Sequence, residues 1–103
     1  MSHPSKRKGT GFERELVEQA KAAGLPAKRA WGSDGRSMGE APDVDIVVAG
    51  ERFQCKRRAS LPRYLQISPN CRGHIYRADH GEAVVVIPWR VYLDMEANRD
   101  YSC

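Results

Sequence analysis

Pro42-Asp43-Val44-Asp45-Ile46-Val47-Val48-Ala49-Gly50-Glu51-Arg52-Phe53-Gln54-Cys55-Lys56-Arg57-Arg58 contains two runs that read as strands, joined at a glycine. Strand side chains alternate with period two, so within 43–49 Val44, Ile46 and Val48 share one face while Asp43, Asp45 and Val47 share the other. In the return run, 52–58, Phe53 and Cys55 alternate with Gln54 and Lys56. Matching the apolar faces needs an even-numbered loop, and two turns satisfy that, Ala49-Gly50 and Gly50-Glu51. Both gather Asp43, Asp45, Gln54 and Lys56 on one face; the first sets Asp45 opposite Gln54, the second opposite Lys56. Such a set suits phosphodiester hydrolysis. Hard oxygen ligands bind Mg²⁺, the metal activates water and neutralises the phosphorane, and a lysine orients or deprotonates that water or stabilises developing charge. A solvated sheet face carrying surface ion pairs has the same composition, so the hairpin needs support from elsewhere in the chain.

Upstream, the spacing predicts a helix over 11–23: Thr10 and Glu13 have the form of a capping box, Gly24 is a natural residue to follow the last turn, and Pro26 prevents continuation. Stepping about 100° per residue from Phe12 places Ala23, Leu16, Ala20 and Val17 on one apolar arc, and Glu13 falls inside it. A carboxylate directed inward is costly unless a metal, a positive charge or hydrogen-bond donors meet it. The capping box accounts for the residue type at Glu13 but not for the inward face. Residues 2–9 are polar, basic and contain a proline, which predicts a mobile arm over 1–9 whose Lys6, Arg7 and Lys8 either solubilise the chain or touch phosphates. The remainder, 10–103, is expected to be one small domain, since half of a 103-residue chain could not bury enough apolar surface to fold.

Downstream of the hairpin, 59–67 is ambiguous, with Pro62 near a potential helix start. Residues 73–77 and 82–87 form a second expected hairpin closed by Asp79-His80-Gly81, and Trp89, Tyr92, Leu93 and Glu96 have helical spacing after Pro88. The order αββ(α)ββα describes an α/β domain, a central mixed β-sheet flanked by helices. All of the net charge of +4 lies in residues 1–58, with twelve Lys/Arg against eight Asp/Glu, and the rest carries five of each. A basic half attracts polyanions, nucleic acid or an anionic membrane surface alike. The chain lacks an apolar run long enough to span a bilayer and reads as soluble, intracellular and cytoplasmic. Cys55, Cys71 and Cys103 are odd in number with no CxxC pair, which fits a reducing compartment, and Cys71, His74 and His80 lack both a fourth ligand and zinc spacing. Trp31, in the glycine-rich stretch, is placed to stack on a base or anchor a dimer, and Trp89 reads as core.

Pro42-Asp43-Val44-Asp45 followed by Gln54-Cys55-Lys56 resembles the PD-(D/E)XK nuclease signature, and Lys8-Gly9 followed by Glu13-Arg14-Glu15-Leu16-Val17 resembles the opening of archaeal Holliday junction resolvases. Arg29 and Gly32-Ser33 stand where those resolvases keep an arginine and a Gly-Ser loop. The resemblance covers about the first 58 residues in motif and the rest in general shape. It implies a restriction-endonuclease-like fold and a metal-dependent DNA endonuclease that resolves four-way junctions. It also implies a metal site of Glu13, one of Asp43 and Asp45, and Gln54, occupied by Mg²⁺ with Mn²⁺ as a substitute. Lys56 would be the catalytic lysine, and Ser33 would lie in a mobile loop near the scissile phosphate. Gln54 departs from the usual acid and matches the Gln-x-Lys variant of Mrr-type restriction endonucleases. A restriction-type duplex nuclease and a non-catalytic DNA-binding module are therefore the other readings. Arg29, Arg36, Arg57, Arg58 and Arg63 are further expected phosphate contacts. Symmetric cutting of two strands needs two sites related by a twofold axis, so a homodimer on branched DNA is expected.

Overall fold

Helix α1, Pro4–Ala22, opens the computed structural model, which describes residues 4–30 and 35–99 and, within α1, side chains from Gly11 onward. Trp31 and Ser33 lie outside the described residues. α1 begins well before Gly11, so from Pro4 the expected arm is helix. Proline is compatible with a first turn, where its missing N–H would have no helical partner and its fixed φ suits the helix. Thr10 is consequently interior to α1 and the capping box does not exist. The other end is as the sequence predicts. Gly24 has φ +86°, its N–H donates to the Lys21 carbonyl at 2.9 Å, and Leu25 N–H donates to the Ala20 carbonyl at 3.0 Å, the paired bonds of a Schellman stop.

α1 packs on β1 and β2 of a three-stranded antiparallel sheet of order β1-β2-β3, made of Ala27–Arg29, Ile46–Val48 and Glu51–Phe53. β1 has neither alternation nor β-branched residues, and it is a strand because β2 supplies a partner, Lys28 opposite Val47. β2 is the central strand, and Ile46 and Val48 are its fully buried residues, with Val44, Val17, Ala20, Leu25 and Ala30 around them. The β2–β3 register pairs Val48 with Glu51, leaving Ala49-Gly50 as the two-residue loop. Both loop residues have positive φ, 51° and 80°, as a type I′ turn requires.

Between β1 and β2 a 3-10 turn, Gly35–Met38, sits against the chain leading into β2. A Cβ on Gly35 would lie 2.0 Å from the Ala41 carbonyl oxygen and 2.8 Å from that of Val44, so this approach is open to glycine alone. Arg52 Nε and Glu40 Oε2, 2.5 Å apart, join the same loop to β3.

The chain divides into two compact units, Met1–Arg57 and Arg58–Cys103. In the second, the 59–67 segment contains only a 3-10 turn, Arg63–Leu65, begun at Pro62. The second hairpin falls where expected, β4 His74–Tyr76 pairing antiparallel with β5 Val84–Val86, and helix α2, Trp89–Ala97, follows Pro88. Trp89 is half-buried and stacks on Tyr92 at 5.4 Å, and Leu93 is buried. The α/β class is as expected, but in place of one mixed sheet the described residues form two antiparallel ones. Each of the three strand pairs, β1 with β2, β2 with β3 and β4 with β5, is antiparallel.

Candidate active site

Among the described side chains of α1, Glu13, Val17 and Ala20 are buried, at 4%, 6% and 0% exposure, and on the helical wheel they sit near 100°, 140° and 80° from Phe12. Glu13 is thus central to the buried stripe, while Phe12 and Leu16 are only half-buried. With the capping box gone, an inward carboxylate remains to be accounted for by what surrounds it.

Part of that surrounding is Asp45, 8% exposed at the start of β2. In a regular strand a residue directs its N–H and C=O toward the same neighbour. Asp45 does not: its carbonyl accepts from Ala30 N–H on the β1 side at 2.9 Å, and its own N–H donates to the Phe53 carbonyl on the β3 side at 2.9 Å. Since Ile46 is already the register partner of Phe53, two residues face one, which is a β-bulge. The first of the two expected turns is therefore present, yet Asp45 does not sit opposite Gln54, because the bulge shifts the ladder by one residue. Strand pairing ends here, with Gln54 to Arg58 outside β3, and the Cys55 N–H donates to Asp45 Oδ2 at 2.6 Å.

Cys55 lies within the electrostatic reach of both carboxylates. Its half-buried thiol is pushed up to about 12, first by burial, then by the charge of Asp45, then by that of Glu13. The charges of Glu13 in α1 and Asp45 just before β2, 32 positions apart in the sequence, thus both raise one thiol. The sequence reading assigned Cys55 only to an apolar face; its place between Gln54 and Lys56 was the available signal.

The expected four-residue face is not intact. Asp43, Gln54 and Lys56 are exposed while Asp45 is buried, because the bulge breaks the alternation that would have kept the two aspartates together. Of the two, Asp45 is the one that, like Glu13, is buried and raises the Cys55 thiol. Arg36, Arg57, Arg58 and Arg63 are exposed and Arg29 is half-buried; Arg58 and Arg63 belong to the second unit. Lys6, Arg7 and Lys8 lie on the first turns of α1. Among the described residues no group of three or more His, Cys, Asp or Glu side chains is arranged to hold a metal ion. Two carboxylates and a neighbouring amide are nevertheless hard oxygen donors of the kind a Mg²⁺-sized cation takes, and the thiol, protonated at neutral pH, adds no soft ligand.

No helix among the described residues is long and apolar enough to cross a membrane. No curated protein and no solved structure matches the chain. A family model described as archaeal Holliday junction resolvase (hjc) matches residues 4–94, from the first turn of α1 into α2 and across every residue of the site. The chain therefore belongs to the archaeal Holliday junction resolvase family, nucleases that act on four-way DNA junctions.

Proposed function

We propose that this chain hydrolyses phosphodiesters at four-way junctions with a divalent cation held by Glu13, Asp45 and Gln54, Mg²⁺ or in its place Mn²⁺, and with Lys56 as the catalytic lysine. The observation that carries the assignment is a pair of buried carboxylates, Glu13 on α1 and Asp45 just before β2, with Asp45 bonded to the Cys55 N–H and both charges raising the Cys55 thiol. When bound, the cation would activate water and offset negative charge on the reacting phosphorus. Asp45 is held in place by the Cys55 N–H, which also fixes the backbone next to Lys56. Lys56 is exposed, so its ammonium group can meet a phosphate oxygen or exchange a proton with water at the scissile bond. Arg57 extends the cationic run, and Lys6, Arg7, Lys8, Arg29, Arg36, Arg58 and Arg63 hold the DNA backbone, with Ser33 near the cut. Asp43, exposed before the bulge, stays outside the metal site.

The active species is a homodimer acting inside the cell, because one chain has one site and a four-way junction needs two symmetric cuts. The exposure of Ile75 and Val85, cross-strand partners in the second hairpin, at 77% and 63%, supports an apolar contact between copies there.

The deciding experiment incubates a labelled four-way junction, a flap and a linear duplex with wild type and Lys56→Ala, in Mg²⁺, Mn²⁺ or EDTA. Paired cuts in the junction alone, dependent on metal and on Lys56, are expected. Cleavage in EDTA, or by Lys56→Ala at the wild-type rate, sinks the assignment.

A further inference from the structure

In the second unit, Tyr64, Tyr76, Arg77, Ala78, Glu82 and Val84 line an open groove of about 450 Å³, within the range of pockets that take small planar ligands. Its walls are held by a directed chain of hydrogen bonds. Ser68 N–H donates to His74 Nε2 at 3.2 Å, so the neutral ring carries its hydrogen on Nδ1, which donates to the Tyr76 hydroxyl at 2.9 Å. The Tyr76 hydroxyl in turn donates to the Tyr64 carbonyl. With its hydroxyl committed to the Tyr64 carbonyl, Tyr76 offers the groove its ring. Tyr64, whose backbone this bond pins, leaves its side chain 63% exposed. An aromatic ring standing in water on an immobilised backbone is ready to stack at little cost in conformational entropy.

The other lining groups narrow the ligand. Glu82 repels a phosphate, and an apolar side chain would use neither Glu82 nor Arg77. A nucleobase uses all of them: its face stacks on tyrosine, N–H donors on its edge meet the carboxylate, and its carbonyl or ring nitrogen meets the guanidinium group. Guanine has both edges, two donor groups at N1 and N2 and two acceptors at O6 and N7. A base that is both unstacked and unpaired, as in a bulge or at an opened branch point, presents that face and that edge together.

We propose that this groove is a stacking site for a single unstacked nucleobase, guanine by preference, of the DNA the chain acts on. The proposal rests on the DNA-nuclease reading above and assigns this part of the second unit to recognition of interrupted stacking.

The test is fluorescence anisotropy in EDTA, where cleavage does not enter, comparing a duplex carrying one bulged guanine with the same duplex fully paired. Wild type should prefer the bulged duplex by roughly five- to a hundredfold, the effect of one base–aromatic stack. Tyr64→Ala should erase that preference and Tyr64→Phe should keep it. The latched atom of Tyr64 is its carbonyl, which the alanine variant retains, and far-UV circular dichroism checks that the fold survives. Independently, Glu82→Gln should weaken discrimination of a bulged guanine from a bulged thymine, since thymine has a single donor. 2-Aminopurine at the bulge should be quenched on binding wild type. Equal binding of bulged and paired duplex by wild type, or a preference undiminished in Tyr64→Ala, overturns the proposal and returns the groove to a protein or other ligand. A chain that selects the bulge yet never cuts a junction would fail the nuclease assignment alone; one that cuts but ignores the bulge would fail this one alone.

Discussion

Replacing Glu13 with Gln should make Cys55 more reactive, although the two residues belong to different elements. The Cys55 thiol lies at about 12 instead of 9.0, so at pH 8 its thiolate fraction falls from about one in ten to about one in ten thousand. Only the thiolate is alkylated, and a suppression of up to about a thousandfold follows; because the residue is half exposed, solvent screening reduces this to roughly ten- to a hundredfold. Exposed Cys71 is the internal reference. Burial is the largest cause and survives the substitution, so Glu13→Gln should recover a few-fold of the lost reactivity, and Asp45→Asn somewhat more, since Asp45 precedes Glu13 among the causes. The assay is iodoacetamide labelling from pH 7 to 11 with site-resolved mass spectrometry. The same shift has a signed effect on stability. The folded state holds the thiol proton more tightly than the unfolded state, so this contribution is complete below pH 9 and is lost as pH rises toward 12, and Cys55→Ala should flatten that decline. Cys55 labelling as fast as Cys71 in wild type, or unmoved by Glu13→Gln, would refute the shared influence on Cys55 on which the active-site assignment rests.

Ala49 is a non-glycine residue at φ 51°, so Ala49→Gly or Ala49→Asn should stabilise the fold by roughly 0.5–1.5 kcal/mol in urea titration. Gly35→Ala forces a methyl group onto two carbonyl oxygens and should cost at least about 1–3 kcal/mol, displacing the segment that leads to Asp45 and so reducing junction cleavage as well. Gln54→Glu adds ligand charge, and isothermal titration should show tighter Mg²⁺ binding; unchanged affinity would remove Gln54 from the metal site. Val85→Glu sets a charge in the exposed apolar face of the second hairpin and should shift light-scattering mass from dimer to monomer; an unshifted mass would place the dimer contact elsewhere.

Both hairpins, the Gly24 stop of α1 and the helix after Pro88 were legible because each is written in local chemistry: a two-residue loop, a positive φ, a proline at a boundary. The inward face of Glu13 was legible too, as a conflict between residue type and helical position. The start of α1 was not, since Gly9 and Gly11 each cost about 1 kcal/mol in a helix interior and Thr10 imitates a cap. β1 has no pattern of its own and exists through pairing with β2. The bulge at Asp45 was invisible for a similar reason: periodicity assumes an unbroken ladder, and a single extra residue is a property of two strands and not of one. That residue is what separates Asp45 from Asp43 and brings it to the Cys55 N–H.

The bulge also gives this strand an unusual response to changes in chain length. Most one-residue deletions in a central strand invert every side chain beyond them and expose the core. Here, losing one of the two residues that face Phe53 would leave one residue against one, so a deletion at Asp45 is the change the ladder absorbs most easily. It is also the change that takes the carboxylate away from Glu13 and from the backbone beside Lys56. Regularity of the sheet and completeness of the proposed site therefore pull the length of this strand in opposite directions, and on that assignment a search for stabilised variants that admitted deletions should meet inactive proteins at this position first.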